Sequence, residues 1–360
     1  MSTINTTVNA HASNTISNVN LLIDMDPGTD DLLTLIWLSK YVKENKINLI
    51  GISIVAGNTD AFNAFKNCFC MLKILDIKNV IICKPFNHIK PINDNAFDFH
   101  GNDGAFGFNK LDMFSSNDFQ QEMIEAYNKA PIVTDVYIDI VNKNIYDVTL
   151  ISTGPLTNIS DLINIDKHFG NKLKQYIMMG GAFNVPGNMS SYAEFNIWYD
   201  PVSANNVFAN INNIIVMPLD VTNSLQVNAE YINNILEKNK QKAKNFHCYY
   251  KLQLITCIKH ISNSLTNASI EYRDVDVNGY KLHDPSTIMY LLHPELFEFK
   301  NTFVHVDVNS KSSHNYGKTC IDQRNKKDNV IIPTTKYATN VDAKKGLFLF
   351  FCDINDIVCC

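Results

Sequence analysis

The sequence predicts an α/β fold: a single-domain, Rossmann-like open sheet, mostly parallel, with helices on both faces and a site at the strand carboxyl ends. Three observations predict it. Apolar runs and helix-period segments alternate as β, α, β, α, β from residue 21 onward, as a parallel sheet demands. Four of the strands hand over to polar residues at their carboxyl ends, where open sheets line a shared crevice. No linker, repeat or second core interrupts the chain, so one domain is the economical count for 360 residues.

The first unit is LLIDMDPGTDDLLTLIWL (21–38), which reads as strand, Pro-Gly turn and helix. Asp24 and Asp26 fall at the strand end, and Asp30 and Asp31 open the helix. An Asp at a helix start commonly caps free N–H groups, but four acids in eight positions exceed what a cap requires. Two carboxylates about 5 Å apart, at an effective dielectric of about 20, repel by roughly 3 kcal/mol. The stretch therefore predicts a bound cation.

The remaining elements follow in order. NLIGISIVAG (48–57) is a second strand ending at Asn58, Ala61 to Leu75 is a helix, and VIIC (80–83) is a third strand. Lys84 to Lys110 reads as a long irregular loop carrying HGNDGAFG (100–107), and its length predicts a functional lid. VTLIST (148–153) is the fourth strand, with LTNISDLI starting a helix behind Gly154-Pro155. KQYIMMGG (174–181) is the fifth, followed by a turn-rich loop, AFNVPGNMSSYAEFNIWYDP, that contains Glu194 and Asn196. IIVMPLD (214–220) is the sixth. Two helices are expected over 228–262, a polar loop from Asn263 to Leu282, and a helix after His283-Asp284-Pro285. FVHVDV and YGKTCID read as a hairpin, and an apolar helix from Val341 to Phe351 closes the fold.

Composition narrows the function class. A net charge of −5, 46% hydrophobic residues and 19% charged ones give no reason to expect nucleic acid or an anionic membrane surface as partner. No apolar run reaches the roughly 18 residues of a membrane span. Nine scattered cysteines suit reduced thiols rather than a disulfide framework. The terminal Cys359-Cys360 pair could accept a lipid, though a frayed tail is the favoured reading. The polar start lacks the apolar core of a signal peptide, so residues 1–19 are expected to be a disordered tail and the protein cytoplasmic. Sequons at Asn158 and Asn188 fall inside site segments, which also weighs against secretion.

The strand-end residues are Asp24, Asp26, Asp30, Asp31, Asn58, Thr153, Asn188, Glu194, Asn196 and Asp284. All are acids, amides or a hydroxyl, without paired histidines or a cysteine. Such hard oxygen donors favour Ca²⁺ or Mg²⁺ over zinc, and a site that also accepts sugar hydroxyls suits the larger, more flexible Ca²⁺ shell.

These residues resemble the inosine–uridine-preferring nucleoside hydrolases over nearly the whole chain from Leu21 to Phe351. The motifs in order are DMDPGTDD (24–31), VAGN (55–58), HGNDG (100–104), STGPLTNI (152–159), MGGAFNVPGN (179–188), AEFNIWYDP (193–201), LDVTN (219–223) and HDPS (283–286). Eight in the family's order are specific where one would be weak. The resemblance makes residues 20–356 a nucleoside hydrolase domain acting on inosine, uridine and related ribonucleosides. It implies Ca²⁺ held by Asp26, Asp31, the Thr153 carbonyl and Asp284, with Asp26 also the general base. Asp30, Asn58, Asn196 and Asp284 would grip the 2′ and 3′ hydroxyls, Asn188 and Glu194 the 5′ end, and Met179 would pack near the ribose.

His283 and His100 match histidines on the base side in this family and are candidate proton donors to the leaving base. A histidine before a helix is more often a cap or packing residue; the functional role is favoured for His283 and evenly balanced for His100. Tyr272 and Tyr280 could close over the base, although loop aromatics before a helix are more often core or rim. Asn223 departs from the family's usual histidine, a change expected to affect local packing alone. The resemblance further suggests a homodimer or homotetramer and a role in nucleoside salvage. A phosphatase of the DxD type also begins this way, but Asp30-Asp31 would repel a phosphate; a nucleoside-binding protein without turnover is the other alternative. Base preference is open.

Overall fold

The structure, a computed structural model, describes residues 18–86, 99–272, 279–321 and 335–359. The expected tail falls largely on 1–17, outside the described residues, and strand β1 (Val19–Met25) already includes Val19. Leu21, Leu22, Ile23 and Met25 of β1 are fully buried. Leu21, Ile23 and Met25 pack into one core while Leu22 packs into another, so side chains alternate between two covered faces.

β1 pairs in parallel with β2 (Ile47–Ile54) on one side and β4 (Val148–Ser152) on the other. The sheet adds β3 (Ile81–Cys83), β5 (Gln175–Met179) and β6 (Ile214–Met217) in the order β3-β2-β1-β4-β5-β6. Two further strands that sequence periodicity did not reveal complete it. β12 (Thr335–Val341) runs parallel to β6, and β9 (Phe297–Thr302) is antiparallel to β12 at the edge. The short ribbon β7 (Gln226–Asn228) and β8 (Gly279–Lys281) stands apart from the sheet. The expected hairpin forms from β10 (Val304–Val306) and β11 (Thr319–Ile321).

Helix α1 (Thr29–Lys43) follows the acidic turn, and α2 (Ala61–Leu75) spans the predicted residues. Trp37 of α1 donates from Nε1 to Asp353 at 2.8 Å and meets Phe350 edge-on at 5.2 Å, which seats the C-terminal helix Ala343–Val358 on this face. That helix runs past its expected end at Phe351. Asn117–Lys129 and Val133–Lys143 are helices in a stretch where no element was read, and Pro201–Asn210 is another between β5 and β6.

One expectation fails in its first half. The polar loop predicted from Asn263 to Leu282 begins as helix, because Tyr249–Glu271 continues through it; 273–278 lie outside the described residues, and Gly279–Lys281 is β8. Leu265, Thr266, Ala268 and Ser269 are buried on one face, so packing rather than composition sets the helix end. Part of the predicted lid, 87–98, lies outside the described residues. The rest is a compact series of turns, with Gly101, Gly104 and Gly107 at φ of 74°, 78° and 80°. The eight described cysteines are free thiols, and Cys360 falls outside the described residues. No described helix is long and apolar enough to cross a membrane.

Candidate active site

The site begins where β1 ends. Asp24 points beneath the crevice floor, where Ser53 and Asn158 donate to its Oδ1. Asn158 is fully buried in this role. Burial pushes the Asp24 carboxyl up to about 7. Two residues on, Asp26 receives the Asn58 backbone N–H on Oδ2 at 2.8 Å, while its buried Oδ1 has no hydrogen-bond partner among the described residues. The backbone of Gly154 lies so close that a Cβ there would stand 2.6 Å from that Oδ1.

The first turn of α1 places Asp31 against the same floor. Its Oδ2 accepts from Gly28 N at 2.9 Å, and its Oδ1 accepts from the Thr153 hydroxyl at 2.7 Å. Asn58 Nδ2 spans the two acids, 3.2 Å from the Asp26 carbonyl and 3.3 Å from Asp31 Oδ2. Across from them Asp284 heads the helix Pro285–Leu292. Carboxylate oxygens of Asp30, Asp31 and Asp284 all lie within 4.8 Å of one another.

This cluster is anionic and dry. Asp26, Asp31 and Asp284 are buried, and burial followed by neighbouring carboxylates raises all three, Asp31 to about 7. No lysine or arginine among the described residues forms an ion pair with any of the four acids. An orphaned Oδ1 on both Asp26 and Asp30 and an all-oxygen donor set fit a hard divalent cation. The described residues thus hold a buried acidic cluster able to bind a metal ion.

Above the acids opens a cavity of about 650 Å³, within the range of small-molecule sites. Of the residues singled out from sequence, Asp30, Asn58, His100, Thr153, Met179, Asn188, Glu194, Asn196, Tyr272, His283 and Asp284 line it. Asp26 and Asp31 lie in the floor below. Glu194 caps the short helix Phe195–Tyr199, accepting from Gly181 N and Asn196 N at 2.9 Å and from Ile197 N at 3.2 Å. Burial outweighs those bonds and lifts its carboxyl to about 7. Asn196 Nδ2 donates to the Thr153 carbonyl at 2.7 Å and to the Met179 carbonyl at 3.2 Å, tying three motif segments together. Asn188 accepts from Phe195 N at 2.9 Å.

The opposite end is aromatic and imidazole-rich. His100 Nδ1 pairs with the Thr29 hydroxyl at 3.0 Å, and His283 Nδ1 with that of Thr222 at 2.8 Å. Burial lowers the His100 pKa from its usual value. Phe99 bridges His100 and half-exposed Tyr272 at ring distances of 5.0 and 5.6 Å.

Several contributors escaped the sequence. Asn67 pins the acidic turn to the HGNDG segment, donating to the Pro27 carbonyl at 2.9 Å and the Asp103 carbonyl at 2.8 Å. Leu265 and Ser269 reach the cavity from the helix whose end was placed too early. Asn223, expected to alter packing alone, and Lys281 also line it. No local pattern marks Lys281, because the β7–β8 ribbon that carries it to the site is three residues per strand, whereas Asn223 ends the LDVTN segment ahead of that ribbon.

Such a crevice defines a parallel-sheet protein with a small-molecule site above a buried acidic cluster at its strand carboxyl ends. Residues 21–347 match the model of the inosine-uridine preferring nucleoside hydrolases. The pyrimidine-specific ribonucleoside hydrolase RihA of Shewanella sp. (strain MR-7) is 29% identical over 307 residues, 84% of this chain and 86% of the relative. Probable uridine nucleosidase 1 of Oryza sativa subsp. japonica is 28% identical over 324 residues, 88% and 89% of the two chains. The structure of a purine-preferring ribonucleoside hydrolase from Gardnerella vaginalis superposes with a TM-score of 0.77 at 22% identity, covering 94% of this chain and 99% of that one, a likeness of fold.

The chain belongs to the inosine-uridine preferring nucleoside hydrolase family. It is a hydrolase of the N-glycosidic bond of ribonucleosides.

Proposed function

We propose that the chain cleaves inosine, uridine and related ribonucleosides to ribose and free base, with Asp26 as general base and Ca²⁺ as the metal. The observation that carries this reading is the buried carboxylate cluster of Asp30, Asp31 and Asp284, with the unpartnered Asp26 Oδ1 beside it. Asp26, Asp31, Asp284 and the Thr153 carbonyl would hold the ion. When bound, Ca²⁺ supplies Lewis acidity and an orienting charge for the sugar diol.

The chain's own residues carry the remainder. Asn58 fixes Asp26 through Oδ2 and leaves Oδ1 to take a proton from water. Asp30, Asn58, Asn196 and Asp284 grip the 2′ and 3′ hydroxyls, and Asn188 and Glu194 the 5′ hydroxyl, with Met179 packed near the ribose. As the bond breaks, positive charge grows on C1′ and O4′, and the acidic floor stabilises that state more than the neutral nucleoside. His283 and His100 serve the departing base, and Tyr272 covers it from the rim.

Asp26→Asn tests the assignment. The variant is expected to retain ribose binding while its kcat falls by at least about a hundredfold, the order general bases contribute. Unchanged turnover by Asp26→Asn removes Asp26 from the role, and tight nucleoside binding by the wild type with Ca²⁺ but without ribose release makes the protein a binder.

A further inference from the structure

The cavity is electrically lopsided in a way that the hydrolytic reaction alone does not require. Among the described residues lining it, Asp30, Glu194 and Asp284 are acidic, and Lys281 is the only lysine or arginine. Lys281 sits three residues before Asp284, so the chain can separate the two by at most about 10 Å.

Its position is built rather than incidental. Gln226 and Lys281 are paired across the β7–β8 ribbon, and Leu282 N donates to the Leu225 carbonyl at 2.9 Å. The Thr222–His283 contact of 2.8 Å closes the same ribbon one step nearer the acids. Asn223 follows the helix Leu219–Thr222, its N–H bonded to the Leu219 carbonyl at 3.2 Å, and it lines the cavity from the turn that leads into β7. Two polar side chains therefore flank the end of the cavity that His283 shares, and one of them is cationic.

We infer that Lys281 is a specificity-determining residue, reading a carbonyl oxygen at the far edge of the base, position 4 of a pyrimidine or 6 of a purine. The inference rests on the nucleoside-hydrolase reading of the site. An ammonium has three donors and no acceptor, so it pairs with a ring carbonyl and opposes an exocyclic amino group. Cleavage adds the water's hydroxyl to C1′, passes its proton to Asp26, and leaves the C1′–N electron pair on the base. In uracil or hypoxanthine that charge spreads onto the far carbonyl, where a nearby cation stabilises it in the transition state. Cytosine and adenine carry an amino group at that position and gain nothing there.

The test compares kcat/KM for uridine, cytidine, inosine and adenosine in wild type, Lys281→Met and Lys281→Arg, with Ca²⁺ present throughout. Wild type is expected to favour uridine over cytidine and inosine over adenosine by at least about tenfold, the effect of a mismatched polar contact. Lys281→Met should lose about that factor on uridine and inosine while cytidine and adenosine change less than about twofold, and Lys281→Arg should keep the discrimination. An equal loss on all four substrates, or none, overturns the assignment, as does wild-type protein that cleaves all four alike. Failure to release ribose from any of them instead refutes the underlying hydrolase reading. Should Lys281→Met unfold, Lys281→Gln is measured against the same criteria.

Discussion

Replacing Asp31 by Asn should stabilise the metal-free protein at alkaline pH, although it removes a charged group with three hydrogen-bond donors around it. Burial and the Asp30 charge raise the Asp31 carboxyl from 3.8 to about 7. The folded state therefore binds the proton more tightly than the unfolded one. Its contribution to stability is fully present below 3.8 and is lost as pH rises through about 7. At 1.36 kcal/mol per pH unit, the cost of the ionised group to the folded state grows by a few kcal/mol between about pH 5 and about pH 8.

Asn carries no such term. It keeps one acceptor oxygen but turns an amide towards Gly28 N–H or the Thr153 hydroxyl, at a cost of about 1–3 kcal/mol that does not vary with pH. Subtracting wild type from variant cancels that cost between the two conditions. In chelator, Asp31→Asn should gain about 3 kcal/mol on wild type between about pH 5 and about pH 8, read by denaturant unfolding. Excess Ca²⁺ should reverse the order, because an ion that binds only the folded wild-type site stabilises it by mass action. A variant-minus-wild-type difference that is flat with pH in chelator refutes the picture of an uncompensated acidic floor.

Two other perturbations probe how the floor is held. Gly154→Ala brings a Cβ to 2.6 Å from Asp26 Oδ1 and 2.8 Å from Val55, so the carboxylate must shift; kcat should fall by about a hundredfold, the cost of roughly 1 Å of misplacement, and the overpacking should cost about 1–3 kcal/mol in chemical denaturation. Asn67→Ala strips the Pro27 and Asp103 carbonyls and the Asn109 amide of their partner in a buried place, and should cost about 2–4 kcal/mol in chemical denaturation.

What could be read from the chain was whatever is written locally. Four of the strand ends were legible because their apolar runs hand over to polar or turn residues, and the acidic turn was legible because its spacing joins a strand to a capped helix. Strands β9 and β12 were not. Their pairing spans distant segments, with Thr335 facing Ile214 across the sheet, and FEFKNT is a short edge strand. Val133–Lys143 hides its helix behind β-branched residues, and Tyr249–Glu271 hides its end because buried Ser262, Thr266 and Ser269 look like loop composition.

The site shows the same division. The carboxylates and amides were named from motif spacing, but how they share partners is tertiary. Asn58 bridges Asp26 and Asp31 in the floor, and Asn196 turns its amide to the Thr153 carbonyl. Lys281 falls in no motif, and only the β7–β8 ribbon brings it to the cavity wall; Asn223 closes the LDVTN motif, but its place in that wall is set by the turn after the helix Leu219–Thr222.

Ribose release from uridine and inosine by chelator-treated protein, before and after Ca²⁺ is returned, probes the link between the acidic bowl and the chemistry with least intervening inference. Turnover should vanish in chelator and return in full with Ca²⁺. Undiminished ribose release in chelator, or none from either nucleoside once Ca²⁺ is restored, would contradict the account.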